Sequence, residues 1–152
     1  MTSRIDRPVA ALMAREFVSV ESEERLDFVD DVMKLGRIRH MPVVNQGRLV
    51  GVVSQRDLLA AALSRALEFD PRHRRTFLRA VEVAEVMTPS PLTVTPQTPL
   101  REAARLVLRH KVGCLPVVDE AGALVGLLTE TDLLRGAYED AEAQAEEHTA
   151  AV

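Results

Sequence analysis

His40–Ala61 reads HMPVVNQGRLVGVVSQRDLLAA, and Cys114–Gly136 reads CLPVVDEAGALVGLLTETDLLRG. The second stretch keeps a Pro, two Gly and an Asp of the first in the same order. Sliding the chain by 74 residues pairs Val9 with Val83, Met13 with Met87, Val20 with Val94 and Leu26 with Leu100. The same shift lays Pro42-Val43-Val44 on Pro116-Val117-Val118. One added residue near Ala121 moves the offset to 75, and Gly47, Leu49-Val50-Gly51 and Asp57-Leu58-Leu59 then fall on Gly122, Leu124-Val125-Gly126 and Asp132-Leu133-Leu134. Self-similarity at a long fixed period, broken by a single one-residue step, marks a tandem duplication.

Each copy parses by the same rules. A short β-prone run comes first, FVSV (Phe17–Val20) or LTV (Leu92–Val94). A segment with apolar residues at helical spacing follows: Leu26, Val29 and Met33, or Leu100, Ala103 and Val107. Thr98-Pro99 fits the start of the second of these helices, with Thr as cap and Pro in the first turn. Two Val/Leu-rich runs around Gly47 or Gly122 then read as a hairpin, and a second helix begins after Ser54 or Thr129. The pattern is βαββα twice, a mixed α/β (α+β) fold. One such unit is too small for a stable core; two packed about a pseudo-twofold axis would bury both sheets. The expected divisions are repeat 1 over 1–66, a helical linker over 67–82 broken at Pro71, repeat 2 over 83–138, and an acidic tail over 139–152. That tail has no apolar stripe and reads as a frayed helix passing into disorder.

Composition removes several classes of function. The net charge is −4 and only five of 152 residues are aromatic; a nucleic-acid binder would call for a basic face or base-stacking rings. The one basic cluster, Pro71–Arg79, reads as a solvated helix face. No apolar run is long enough to span a bilayer, no secretory leader is apparent, and the expected location is the cytoplasm. The single cysteine, Cys114, lies in an apolar run and reads as a small buried hydrophobe. His40, His73, His110 and His148 are scattered without zinc-ligand spacing. No catalytic motif is present, so neither a catalytic residue, a metal site nor a required cofactor is expected.

Gly51-Val52-Val53-Ser54-Gln55-Arg56-Asp57 and Gly126-Leu127-Leu128-Thr129-Glu130-Thr131-Asp132, with RIRHMPVV and KVGCLPVV upstream, resemble the cystathionine-beta-synthase (CBS) domain family. The resemblance runs from about Val9 to Arg135. It implies a Bateman-type module of two βαββα repeats, clefts that take adenosine-containing ligands, and a disc-shaped homodimer. It also implies site roles. Asp57 and Asp132 would accept from ribose hydroxyls, and Ser54 and Thr129 would face phosphate. Ile38 and Val112 would pack the adenine, with Val18 and Leu92 as second walls. Arg39 and His40 stand where family members place a His-Arg pair on phosphates, here in the opposite order. Arg56, between Ser54 and Asp57, could flank a phosphate, whereas its twin Thr131 could not.

The residues alone leave a second reading open. Ser54-x-x-Asp57 and Thr129-x-x-Asp132 are also helix-capping boxes. A helix N-terminus is a phosphate site for the same reason that it needs a cap, namely unpaired N–H groups and a partial positive charge. The expected function is a non-enzymatic sensor that binds AMP, ADP or ATP, forms a homodimer and signals to a protein partner in trans, with no nucleic acid or membrane among its partners. The alternatives are a ligand-free dimeric scaffold, or a sensor of NAD, S-adenosylmethionine or cyclic di-AMP.

Overall fold

A computed structural model describes residues 4–66 and 73–151. They form two compact units: Phe17–Pro91, and the described residues up to Glu16 together with those from Leu92 onward. The fold is of the mixed α/β class expected from the sequence.

In the Phe17–Pro91 unit, β1 (Val20–Glu21), β2 (His40–Asn45), β3 (Arg48–Ser54) and β4 (Thr88–Pro89) lie side by side in that order. β1 runs parallel to β2, with Val20 opposite Val43, and the other pairs are antiparallel. The β2–β3 hairpin turns on two residues, Gln46 (φ 50°) and Gly47 (φ 77°). Positive φ at both positions matches the turn twist to that of the strands. α1 (Leu26–Gly36) and α2 (Gln55–Ala66) cover the sheet with α3 (Arg74–Ala80). Leu26, Val29 and Met33 of α1 are buried on one face, against Met41, Val43 and Val53 from the strands and Leu58 of α2. Burying a Val, Leu or Met side chain of this kind contributes about 1.5–3 kcal/mol.

The other unit repeats this plan with shorter strands. β5 (Cys114–Val118) and β6 (Leu124–Thr129) form the hairpin, flanked by α4 (Leu100–His110) and α5 (Glu130–Ala150). Val94 bridges Val117 in parallel, at the place where Val20 meets Val43, and Ala14 bridges Leu127 where Thr88 meets Val52. Leu100, Ala103, Val107, Leu115, Val117 and Leu128 fill the core positions of their twins. The one-residue step in the duplication falls in the hairpin loop. There the Asp119 carboxylate accepts the Ala121 and Ala123 N–H groups at 3.0 and 2.9 Å, so the added residue is absorbed without moving the strands.

The packing divides the chain at other points than the sequence repeat does. Each repeat's leading segment, Val9–Met13 or Val83–Met87, is built into the unit formed by the other repeat. Val9 is fully buried with Leu100 and Leu115, and Val83 with Leu26 and Met41. The leaders also replace side-chain caps. The first N–H of α1 donates to Val81 O at 3.0 Å, and that of α4 to Arg7 O at 2.9 Å. This overturns the capping expected of Thr98. Pro99 is the extended residue before α4 and makes no side-chain cap, while the Thr98 hydroxyl accepts the Thr95 N–H at 3.0 Å.

Two further expectations need correction. The acidic tail is helical, because α5 runs without interruption to Ala150. Ala, Glu and Gln are strong helix formers and neither Gly nor Pro follows Gly136, so an apolar stripe is not needed to carry the helix on. The described part of the basic cluster does not present a merely solvated face either. Arg74, Arg75 and Arg79 on α3 pair with Asp30, Asp31 and Asp27 on α1 at 3.7, 3.5 and 3.5 Å, while Pro71 and the expected break there lie outside the described residues.

Gly51 and Gly126 let the leaders close on the sheets. A Cβ on Gly51 would collide with the Met87 sulfur and stand 2.9 Å from the Thr88 carbonyl oxygen; on Gly126 it would stand 2.7 Å from the Met13 sulfur and 3.2 Å from the Ala14 carbonyl oxygen. Gly51→Ala is expected to destabilise by about 1–3 kcal/mol through overpacking, and Gly126→Ala by less, read as lower midpoints in urea. An unchanged midpoint for Gly51→Ala would contradict the seating of Met87.

Candidate functional site

The two Ser/Thr-x-x-Asp motifs are complete capping boxes. At the start of α2 the Ser54 N–H donates to Asp57 Oδ2 at 2.7 Å, and the Asp57 N–H donates to Ser54 Oγ at 3.1 Å. At the start of α5 the Thr129 N–H donates to Asp132 Oδ2 at 2.9 Å, and the Asp132 N–H to Thr129 Oγ1 at 3.2 Å. The sequence dictates this local arrangement. The strand delivers a β-branched or small hydroxyl residue in extended backbone, and the carboxylate three residues on is the length that reaches back to its N–H. A second bond ties each helix start to the residue that leads into the neighbouring strand, β2 or β5: Gln55 N–H to Arg39 O at 2.9 Å, and Glu130 N–H to Gly113 O at 3.0 Å.

These bonds gather most of the expected site residues at one end of each unit's sheet. His40 is the cross-strand partner of Ser54, and Cys114 that of Thr129. Ile38 and Val112 come just before these strands, half-buried against their cores. Val18 and Leu92 are not in strands; each lies two residues before the first sheet contact. Parallel pairing of Val20 with Val43 and of Val94 with Val117 nevertheless directs them to the same sheet ends. Both are open to solvent, at 47% and 38% exposure, so plain core packing does not account for them. Arg39 and Arg56 are exposed and His40 is half-buried, all beside Ser54 and Asp57.

The boxes differ in what they leave open. The Thr129 hydroxyl is 2.9 Å from Asp132 Oδ2, and the other oxygen of Asp132 lies 3.8 Å from Arg135 Nη1. Among the described residues, Oδ1 of Asp57 meets no donor. The Asp57 box therefore has an open carboxylate oxygen and is flanked along the backbone by Arg39, His40 and Arg56, while the Asp132 box is closed on itself and flanked by uncharged Gly113 and Cys114. Burial, with a smaller contribution from the Glu130 charge, pushes the Cys114 thiol up to about 12.

One pair of residues escaped the sequence reading. Arg37 and Lys111 end α1 and α4 in left-handed backbone, at φ 52° and 53°. Their left-handed backbone reverses the chain ahead of Ile38 and Val112. Their twin positions were the available signal.

The family model for the CBS domain matches twice, over residues 9–64 and 83–139. A CBS domain-containing protein of Dictyostelium discoideum is 35% identical over 127 residues, covering 83% of this chain and 88% of that one. The chain belongs to the CBS domain family, as a tandem pair. Among solved structures, the AcuB protein of Vibrio cholerae superposes with a TM-score of 0.75 at 35% identity, covering 91% of this chain and 96% of that one. CBSX2 of Arabidopsis thaliana, solved in complex with AMP, does so with a TM-score of 0.72 at 34% identity, covering 87% and 96%. The chain spans only 23% of a longer relative, the inosine-5′-monophosphate dehydrogenase of Korarchaeum cryptofilum. Among the described residues, no helix is long and apolar enough to cross a membrane, and no three His, Cys, Asp or Glu side chains are grouped to hold a metal.

Two outcomes are expected. Ser54→Ala should cost about 0.5–2 kcal/mol by loss of the cap, measured by urea unfolding; no loss would mean that the box does not hold the helix start. Cys114 should resist alkylation at pH 8 in the folded protein and react once urea unfolds it. Its folded pKa is raised from 9.0 to about 12, so the protonated thiol is favoured by folding. That contribution is fully present below pH 9.0 and is lost as pH rises toward 12. Rapid alkylation under native conditions would contradict the burial.

Proposed function

We propose that this chain is a non-enzymatic regulatory module that binds an adenosine-containing ligand of the AMP, ADP or ATP class. The observation that carries the reading is the Asp57 box. A carboxylate fixed by the Ser54 N–H keeps one oxygen for outside donors, at a helix N-terminus flanked by Arg39, His40 and Arg56. A ribose diol is neutral and donates hydrogen bonds, which suits the carboxylate. A phosphate suits the positive end of the helix, the Ser54 hydroxyl proton and the cations. The exposed Val18 and half-buried Ile38 offer apolar surface for a base. The AMP complex of CBSX2 supports this choice of ligand class.

The second set, Leu92, Val112, Thr129 and Asp132, has the same plan with less charge and is the weaker phosphate site. α2 and α5 each expose an apolar pair one turn apart, Leu59 with Leu63 and Leu134 with Tyr138; these twin pairs are the proposed homodimer surface. The proposed location is the cytoplasm, and the proposed output is a shift in dimer geometry sensed by a protein partner. Any such shift requires that the ligand bind two states unequally.

A thermal-shift panel of AMP, ADP, ATP, NAD, S-adenosylmethionine and cyclic di-AMP, with GMP as base control, tests the ligand class. A ligand at a hundred times its Kd adds about 2.7 kcal/mol, a rise of several degrees. Asp57→Ala should lower the ligand-free midpoint by loss of the cap and also abolish the ligand-induced rise. A flat panel on folded dimer would favour the ligand-free scaffold, and a rise that survives Asp57→Ala would remove Asp57 from the site.

A further inference from the structure

The two leaders dock through matching contacts. Val9 N–H donates to Thr98 O as Val83 N–H does to Glu24 O, both at 2.8 Å, and Ala10 N–H donates to Pro96 O as Ala84 N–H does to Ser22 O, at 2.9 and 3.0 Å. Pro8 bridges Pro99 as Glu82 bridges Arg25. The buried side chains are the same too, Val9 and Met13 against Val83 and Met87. Over Pro8–Met13 and Glu82–Met87 these contacts match, and ahead of the second leader alone α3 adds the buried Leu78 and the partly buried Phe77 to the α1 core.

The charges differ as well. α1 carries Asp27, Asp30 and Asp31 where α4 carries Arg101, Ala104 and Arg105. α1 receives the basic helix α3 that precedes the second leader, through Arg79–Asp27 at 3.5 Å, Arg75–Asp31 at 3.5 Å and Arg74–Asp30 at 3.7 Å. Lys34 bonds Asp30 at 2.7 Å and offsets part of the acidic charge. Arg25–Glu82, at 3.8 Å, adds a further pair in this unit alone. α4 receives the acidic residue, through Arg101–Asp6 at 3.0 Å, and Arg7 of the same leader lies 4.0 Å from Asp140 of α5. The helix side of these pairs is reversed at one twin position, Asp27 against Arg101. In the opposite arrangement Arg79 would face Arg101, and Asp6 would face Asp27.

We propose that this reversed polarity directs the exchange: opposite charges on α1 and α4 select which leader docks on which repeat and repel the wrong one. Exposed ion pairs are individually weak, but selection depends on the difference between an attractive and a repulsive pairing over several sites.

The test places paired cysteines in full-length protein with Cys114→Ala. Pro8→Cys with Pro99→Cys reports the observed docking, and Pro8→Cys with Arg25→Cys the crossed one, each treated with a short bis-maleimide. The first pair should link and the second should not. Exchanging the face charges, Asp27→Arg with Arg101→Asp, should lower the first yield and raise the second. An unchanged linking pattern in the folded variant overturns the proposal, whatever happens to stability. If that variant does not fold, a second set decides. Asp6→Arg and Arg101→Asp should each lower the melting midpoint by roughly 2–4 °C, and the two together should regain most of it, with the differences shrinking in 1 M salt as exposed charges are screened. Singles that leave the midpoint unmoved, or a double no better than either single, would overturn the proposal.

Discussion

A carboxylate reaching back three residues to a backbone N–H is the contact on which both ends of this molecule's chemistry depend. The Asp57–Ser54 bond stops β3, starts α2 and fixes one carboxylate oxygen at the end of the sheet. Asp132 and Thr129 do the same for β6 and α5. A cap and a ligand site, posed by the sequence as alternatives, are compatible at Asp57. A carboxylate has two oxygens, and the cap uses one. Fixing the group by that bond also removes the entropy that a free side chain would lose on meeting a ligand.

Duplication then makes a complete unit from parts that are insufficient alone. Each hairpin needs a neighbour on both sides. It obtains one from the residue before its own first helix, Val20 or Val94, and the other from the leader of the other repeat. The glycines at 51 and 126 keep that second contact close. Duplication also frees the copies to diverge where packing does not constrain them. The core positions remain Val, Leu, Ala and Met, whereas the surfaces of α1 and α4 carry opposite charge, and Arg39-His40 in one repeat corresponds to Gly113-Cys114 in the other.

Most of the fold was legible because the sequence states it twice. Leu26, Val29 and Met33 could be read as a buried helix face with more assurance when Leu100, Ala103 and Val107 repeated the spacing, and both sets are core. The hairpins and the helix starts at Ser54 and Thr129 were legible from turn and cap chemistry. The exchange of leaders was not. Val9 and Val83 are interchangeable in pattern, and periodicity cannot say which copy a segment packs against. The extent of the tail's helix was understated because an apolar stripe was demanded of a segment that α5 carries by helix propensity and continuity with a capped start. At the candidate site, the capping pairs Ser54–Asp57 and Thr129–Asp132 were legible and their asymmetry only partly so. The charge difference at Arg39 and His40 shows in the sequence, but the closure of Asp132 by Thr129 and Arg135 is a matter of geometry.

The most direct test of the double use of Asp57 is an amide NMR titration of the full chain with AMP. The account predicts saturable shifts concentrated at Arg39, His40 and Ser54–Asp57, with smaller ones around Thr129–Asp132, because these N–H groups are the ones a bound phosphate and ribose would polarise. A spectrum unchanged at millimolar AMP, or shifts confined to residues away from these helix starts, would contradict it.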